Sequence, residues 1–239
     1  MNEIILAVSL VFIFGAVLLA YRIFGNSGLF AMTAVVTVLS NIEVLILVNA
    51  FGMEQTLGNV LFASTFLITD ILSENAGKKA ANKAVYIGIF ASIFFVILSS
   101  SWLLYNPSES DWVMPSIRTI FTATPRTVLA SMAVYAISQL FDVWLYHKWW
   151  DFTERRSGSR RRFLWLRNNG STLISQLVNT VLFNVAAFAG AEGYDAKLLV
   201  SIIAAGYAIY VVTSLLDTPV VYLARRIHDK AVQKGEIRE

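Results

Sequence analysis

Carboxylates, amides and hydroxyls recur inside stretches of this chain that are otherwise built for lipid. Asp70 and Glu74 close one apolar run, and Gln139 and Asp142 interrupt a second. Ser171, Thr172, Ser175, Gln176 and Asn179 line a third, and Asp217 breaks a fourth just before Thr218 and Pro219. A charge at the centre of a bilayer costs roughly 2.5–3.5 kcal/mol on insertion scales. Groups of this kind in several runs therefore point to a polar ligand or ion held inside a bundle of helices. Intramembrane hydrolysis is disfavoured, because no apolar run carries a Ser/His pairing, an HExxH or a Gly-His-Ser-type motif. The absence of a phosphate-binding glycine loop means that any use of ATP needs separate subunits, and no cofactor is expected.

The elements that must position these groups follow from composition. Hydrophobic residues make up 56% of the chain and charged residues only 15%, with a mean hydropathy of +0.62; soluble domains run nearer 25% charged. A spanning helix needs about 20 mostly apolar residues. Seven stretches meet or approach this: 4–21, 30–51, 57–74, 84–104, 127–147, 171–190 and 197–224. The expected fold is all-α, a polytopic membrane bundle. The longest gap, 105–126, still holds Trp112, Ile117, Ile120 and Phe121, which suits an interfacial segment. With no cysteine there is neither a disulfide nor a thiolate metal site. His147 and His228 are far apart and read as interfacial.

Charge sets the expected topology. Numbering the loops alternately, one side carries 16 of the 19 Lys and Arg residues, among them Lys78, Lys79, the run Lys148–Arg167 and Arg225 onward. The other side holds Arg118, Arg126 and Lys197 among six acids. The positive-inside rule then places the N-terminus outside and the C-terminus in the cytoplasm of a cell (inner) membrane protein. The basic loops read as topogenic and attracted to anionic lipid rather than to nucleic acid.

A helix turns about 100° per residue, which gathers the polar groups into stripes. Ser131, Tyr135, Gln139 and Asp142 share one face of span five. Tyr207, Tyr210, Ser214 and Asp217 share one face of span seven. Ser171, Thr172, Ser175, Asn179 and Phe183 line span six, with Gln176 at the edge. Asn41 ends a stripe on span two, and span one has none. Such stripes must face each other or a water-filled cavity. Singly, a serine or threonine serves as well to fasten helix to helix. Asp70 and Glu74 are open to two readings, an end-of-helix pair bridged to Lys78 and Lys79, or a coupling or gating pair. Glu43 points away from the Asn41 face and is open to three readings: paired with a basic group, protonated, or carrying a coupling proton. Arg126 could balance an acid from the end of span five.

At these residues the chain resembles a known family. Ile68 through Ala80, with Asp70, Glu74, Gly77, Lys78 and Lys79, is similar to the aspartate–glutamate–Tyr-Gly–basic signature of the vitamin-uptake-like, queuosine precursor transporter family. Arg126, Ser131, Tyr135, Gln139 and Asp142 resemble its second motif; Trp165–Arg167 with Ser171, Thr172, Ser175 and Gln176 its third; and Leu216–Pro219 its last. Three positions depart from it: Asn179 stands where the family usually has Asp, Tyr210 where many members have Lys, and Ala76 where the motif has Tyr. The resemblance implies a six-helix core over residues 25–228, similar to the substrate-binding components of energy-coupling-factor transporters. It would be preceded by an extra anchor helix over 1–24 and followed by a tail over 229–239. It also implies import of a 7-deazaguanine base: the 7-cyano form, the 7-aminomethyl form or queuine. The alternative is uptake of another vitamin or nucleobase, energised by a separate ATPase complex. Asn41, Tyr135, Gln139, Asp142, Ser175, Gln176, Asn179, Phe183, Tyr207, Tyr210 and Asp217 are the expected substrate contacts. The expected partners are the base and the lipid bilayer, with an energising ATPase module or a second copy of the chain as further candidates.

Overall fold

The structure, a computed structural model, describes residues 1–122, 125–190, 193 and 195–235, without the side chains of residues 53, 54 and 125–128. The elements are α1 (Asn2–Glu43), β1 (Leu47–Ala50), β2 (Met53–Thr56), α2 (Gly58–Ala76), α3 (Lys78–Trp102), α4 (Met114–Thr122), α5 (Pro125–Ser157), α6 (Leu164–Phe188) and α7 (Ala196–Gln233).

Helix α1 is two antiparallel helices rather than one rod. Its 42 residues would span about 63 Å if straight, yet Asn2 Nδ2 donates to the Asn49 carbonyl at 2.8 Å and the Phe51 amide donates to Glu3 Oε1 at 3.1 Å. The chain reverses at Gly25, whose φ of 58° and ψ of −142° suit glycine. Gly28 then packs its backbone onto the Ala20 carbonyl, where a side chain would clash. The first half is more than a lipid anchor. Leu6, Leu10, Phe14, Val17 and Tyr21, at helical spacing, turn one face into the core.

The second half ends at Glu43, short of the expected 51. Residues 47–56 form an antiparallel hairpin with Ala50 opposite Met53. Positive φ at both Phe51 (55°) and Gly52 (73°) makes its two-residue turn of the kind that matches strand twist. The β-branched and large apolar residues of Ile46–Val48 fit a strand as readily as a span.

Helix α2 is the axis of the bundle. It packs against α1, α3, α5 and α7, and every residue from Ala63 to Ser73 is buried. Five helices among the described residues are long and apolar enough to cross a membrane: α1, α3, α5 from Leu129, α6 and α7. Helix α2 is not among them, because Asn59, Asp70, Glu74 and Asn75 make it too polar, which its burial against protein allows. With α1 folded back on itself, seven segments run the length of the bundle. Helix α4 is short, has no buried residue and lies in the expected interfacial gap.

The bundle is apolar outside and polar within. Val8, Val11, Phe12, Phe90, Ile97 and Leu215 are exposed, while Thr69, Gln139, Asp142, Arg167, Ser175 and Gln176 are shut inside. That inversion is what a lipid solvent selects. One end of the bundle carries the hairpin, α4 and the α6–α7 turn. The other, basic end carries Gly25, Gly77 and the loop between α5 and α6.

Helices α3, α5 and α1 close against each other at Gly88, where the Tyr135 hydroxyl and Thr37 Oγ1 occupy the space of a side chain. Gly88→Ala is expected to lower stability by about 1–3 kcal/mol through overpacking. Gly15, with open space around it, provides the control, and Gly15→Ala should leave stability unchanged or raised. Thermal unfolding of the purified protein in detergent checks both.

Candidate functional site

A cavity of about 680 Å³ opens at the hairpin end. Ile42 and Val44 at the end of α1, Leu47, Gln55 and Thr56 of the hairpin, and Thr119 and Ile120 of α4 form one side of it. Asn179, Thr180, Phe183 and Asn184 of α6 and Ile202, Gly206 and Tyr210 of α7 form the other, with Asn59 of α2 between. A small pocket of about 30 Å³ shares Val44, Thr56, Asn59, Asn179, Phe183 and Tyr210 with it and adds Ser40, Phe62 and Ser131. Together they form one recess with a deeper corner.

Its floor is a hydrogen-bonded group. Tyr210 Oη donates to Asn59 Oδ1 at 3.1 Å, and Thr56 Oγ1 donates to the same oxygen at 3.3 Å. Asn179 faces the Tyr210 hydroxyl from α6. Phe62 meets both Tyr210 and Tyr135 edge-on. On the wall, the Gln55 amide is buried and neither its oxygen nor its nitrogen has a hydrogen-bond partner. Buried polar groups are rarely left so; this one is set for a ligand or an ordered water.

Beneath the floor the bundle is closed in layers. Gln139 clamps α5 to α2, its Nε2 donating to Thr65 Oγ1 at 2.5 Å and its Oε1 accepting from Thr69 Oγ1 at 3.2 Å. Next come three carboxylates. Thr172 Oγ1 donates to Asp70 at 2.9 Å, Asn168 Nδ2 donates to Asp217 at 2.8 Å, and Ser175 Oγ donates to Asp142. Asp70 lies near both other acids. Among the described residues no lysine or arginine is paired with any of the three. The seven residues from Tyr210 to Asp217 set this layer about 10 Å below the cavity floor.

At the basic end a latch seals the bundle. Glu74 accepts from Arg167 through both oxygens, at 2.6 and 2.9 Å. Tyr146 Oη donates to it at 2.7 Å, and Arg225 Nη1 lies 3.2 Å away. Arg167 is wholly buried, donates to the Arg162 carbonyl at 2.7 Å and lies over the Trp150 ring at 4.4 Å. The latch joins α2, α5, α6 and α7.

The expected site residues therefore separate by depth. Asn179, Phe183 and Tyr210 line the cavity. Asp142, Ser175, Asp70 and Asp217 form the carboxylate layer, while Gln139 and Gln176 are buried. Asn41 gives its amide to the Thr37 carbonyl and Ser92 Oγ, joining α1 to α3. Tyr207 donates to the Leu173 carbonyl of α6. Glu43 closes α1 between two wall residues but is not itself part of the wall. Arg126 lies in the first turn of α5, and its side chain falls outside the described residues. Glu74 pairs with Arg167 and Arg225, not with Lys78 and Lys79. The cause is Gly77, whose φ of 79° ends α2 and starts both lysines on a new helix. Gln55 and Asn59 were missed. The first falls between expected spans, and the second opens an apolar run where an amide also reads as a helix-end residue.

Residues 56–224 match the family model described as "Putative vitamin uptake transporter". The chain belongs to that family. Over 211 residues, 88% of this chain and 89% of the relative, it is 37% identical to a protein of Bacillus subtilis (strain 168) described as "Probable queuosine precursor transporter". No solved structure matches. This member of the vitamin uptake transporter family is a transporter rather than an enzyme, and a multi-pass membrane protein. The matched segment opens at Thr56 and takes in the carboxylate layer and, of the latch, Glu74, Tyr146 and Arg167, while α1 precedes it and Arg225 follows it.

Glu74→Ala would leave the Arg167 guanidinium buried and unpaired, and is expected to cost about 3–5 kcal/mol. Replacing both partners, Glu74→Leu with Arg167→Met, should recover most of that loss. Unfolding in detergent with increasing denaturant measures both.

Proposed function

We propose that the protein imports a queuosine precursor, a 7-deazaguanine base, bound in the cavity at the hairpin end. The observation that carries this reading is the cavity floor, where Asn59, Asn179 and Tyr210 line the same recess as Phe183. A deazaguanine presents a flat face and an edge of alternating donors and acceptors. Amides match such an edge, and an aromatic ring against the face is worth about 1–3 kcal/mol per base. The name of the Bacillus subtilis relative supports the same substrate class.

In this reading the basic end lies in the cytoplasm, as the positive-inside rule directs, and the cavity opens to the outside. The layers beneath it are the barrier to be crossed. Gln139 and the carboxylates Asp70, Asp142 and Asp217 form the barrier's polar middle, and the Glu74–Arg167 latch is its gate. A base passing inward meets hydrogen-bonding groups on α2, α5, α6 and α7 at each level.

The test is uptake by a cell unable to make the deazapurine, given this gene and fed each precursor. Restored queuosine in its tRNA is the expected result; no restoration with good membrane expression would remove the reading. Two variants separate binding from passage. Asn179→Ala should raise KM by about tenfold, the equivalent of one lost hydrogen bond of about 1.4 kcal/mol. Asp142→Asn, one layer down, should lower the maximal rate while leaving KM within about twofold.

A further inference from the structure

We infer that the cavity selects an uncharged base: it takes a 7-deazaguanine whose 7-substituent is neutral and discriminates against one that carries an ammonium. This rests on the function proposed above and specifies its substrate. Among the described residues, the polar part of the wall consists of amides and hydroxyls, chiefly Gln55, Asn59, Asn179, Asn184, Thr56 and Tyr210. Among the described residues, none of those lining the cavity is a carboxylate, an ammonium or a guanidinium. Of the charged residues beside lining residues in sequence, Glu43, Arg118 and Lys197 are not part of the wall, and the side chain of Glu54 falls outside the described residues. The carboxylates of Asp70, Asp142 and Asp217 lie a layer below, beyond the Gln139 clamp, and their bonded oxygens accept from Thr172, Ser175 and Asn168.

An alkylammonium entering this recess gives up water and meets no counter-charge. Asn59 Oδ1 is already occupied by the Tyr210 and Thr56 hydroxyls, and the unpartnered Gln55 Oε1 offers a dipole rather than a counter-charge. Burying a charge without a partner costs far more than burying a hydrogen-bonded dipole. A nitrile has no such cost. Its nitrogen accepts one hydrogen bond, and the unpartnered Gln55 Nε2 is a donor on the same wall.

The experiment compares uptake of the labelled 7-cyano base with that of the 7-aminomethyl base, in cells or in proteoliposomes with matched protein content. The natural protein should favour the cyano form in kcat/KM by about tenfold or more. Raising the external pH toward about 10, where an alkylamine loses its proton, should narrow that preference by improving uptake of the aminomethyl form alone. Asn179→Asp on α6 and Gln55→Glu on the hairpin each place a carboxylate in the cavity and should bring the ratio toward unity. Equal uptake of both bases by the natural protein, or a preference for the aminomethyl form, would overturn the inference and leave the proposed function standing. Uptake of neither base, with the protein folded in the membrane, would remove the proposed function itself.

Discussion

A carboxylate and a guanidinium, both withdrawn from solvent, hold four helices together at the basic end. Glu74 and Arg167 would be prohibitively placed alone; paired at 2.6 and 2.9 Å, and shared with Tyr146, Arg225 and the ring of Trp150, they become a fixed point. Removing one member of such a pair costs more than never having had it. The position of α2 follows from this contact. The helix that carries Glu74 must run through the middle of the bundle for its end to reach α5, α6 and α7 together. Once there, it buries Thr65, Thr69 and Asp70 as well, and those groups need partners from the same neighbours.

That need produces the layering. Each level of α2 presents a polar group, and each is answered from another helix: Asn59 by Tyr210, Thr65 and Thr69 by Gln139, Asp70 by Thr172, Glu74 by Arg167. In hydrocarbon these bonds replace the hydrophobic effect as the reason for helices to meet where they do. The top level opens into the cavity of about 680 Å³. There the chain departs from helix, and the hairpin and α4 stand over the recess instead of a packed neighbour.

Much of this was legible in the residues. Stripes at helical spacing on spans five, six and seven did turn inward, because a polar stripe has nowhere else to go in lipid. The pairing of Glu74 was not legible. Lys78 and Lys79 are nearer in sequence, and only the backbone turn at Gly77 sends them elsewhere. The hairpin was hidden for a related reason, since Ile46–Val48 are as apolar as a span and Phe51–Gly52 resembles no common turn dipeptide. Periodicity also says nothing about depth. It placed Asn179 and Asp142 on inward faces, yet one lines a cavity and the other lies in the closed interior.

The neutrality of the cavity wall has an electrical consequence. Each elementary charge moved across a membrane gains or loses about 2.3 kcal/mol per 100 mV. An uncharged base feels none of this, so the membrane potential neither draws it in nor holds it out. Accumulation against a concentration gradient then has to be driven by something other than the solute: a cation travelling with it, or nucleotide hydrolysis on another subunit. Without either, the proposed transport of an uncharged base stops once its concentrations on the two sides are equal.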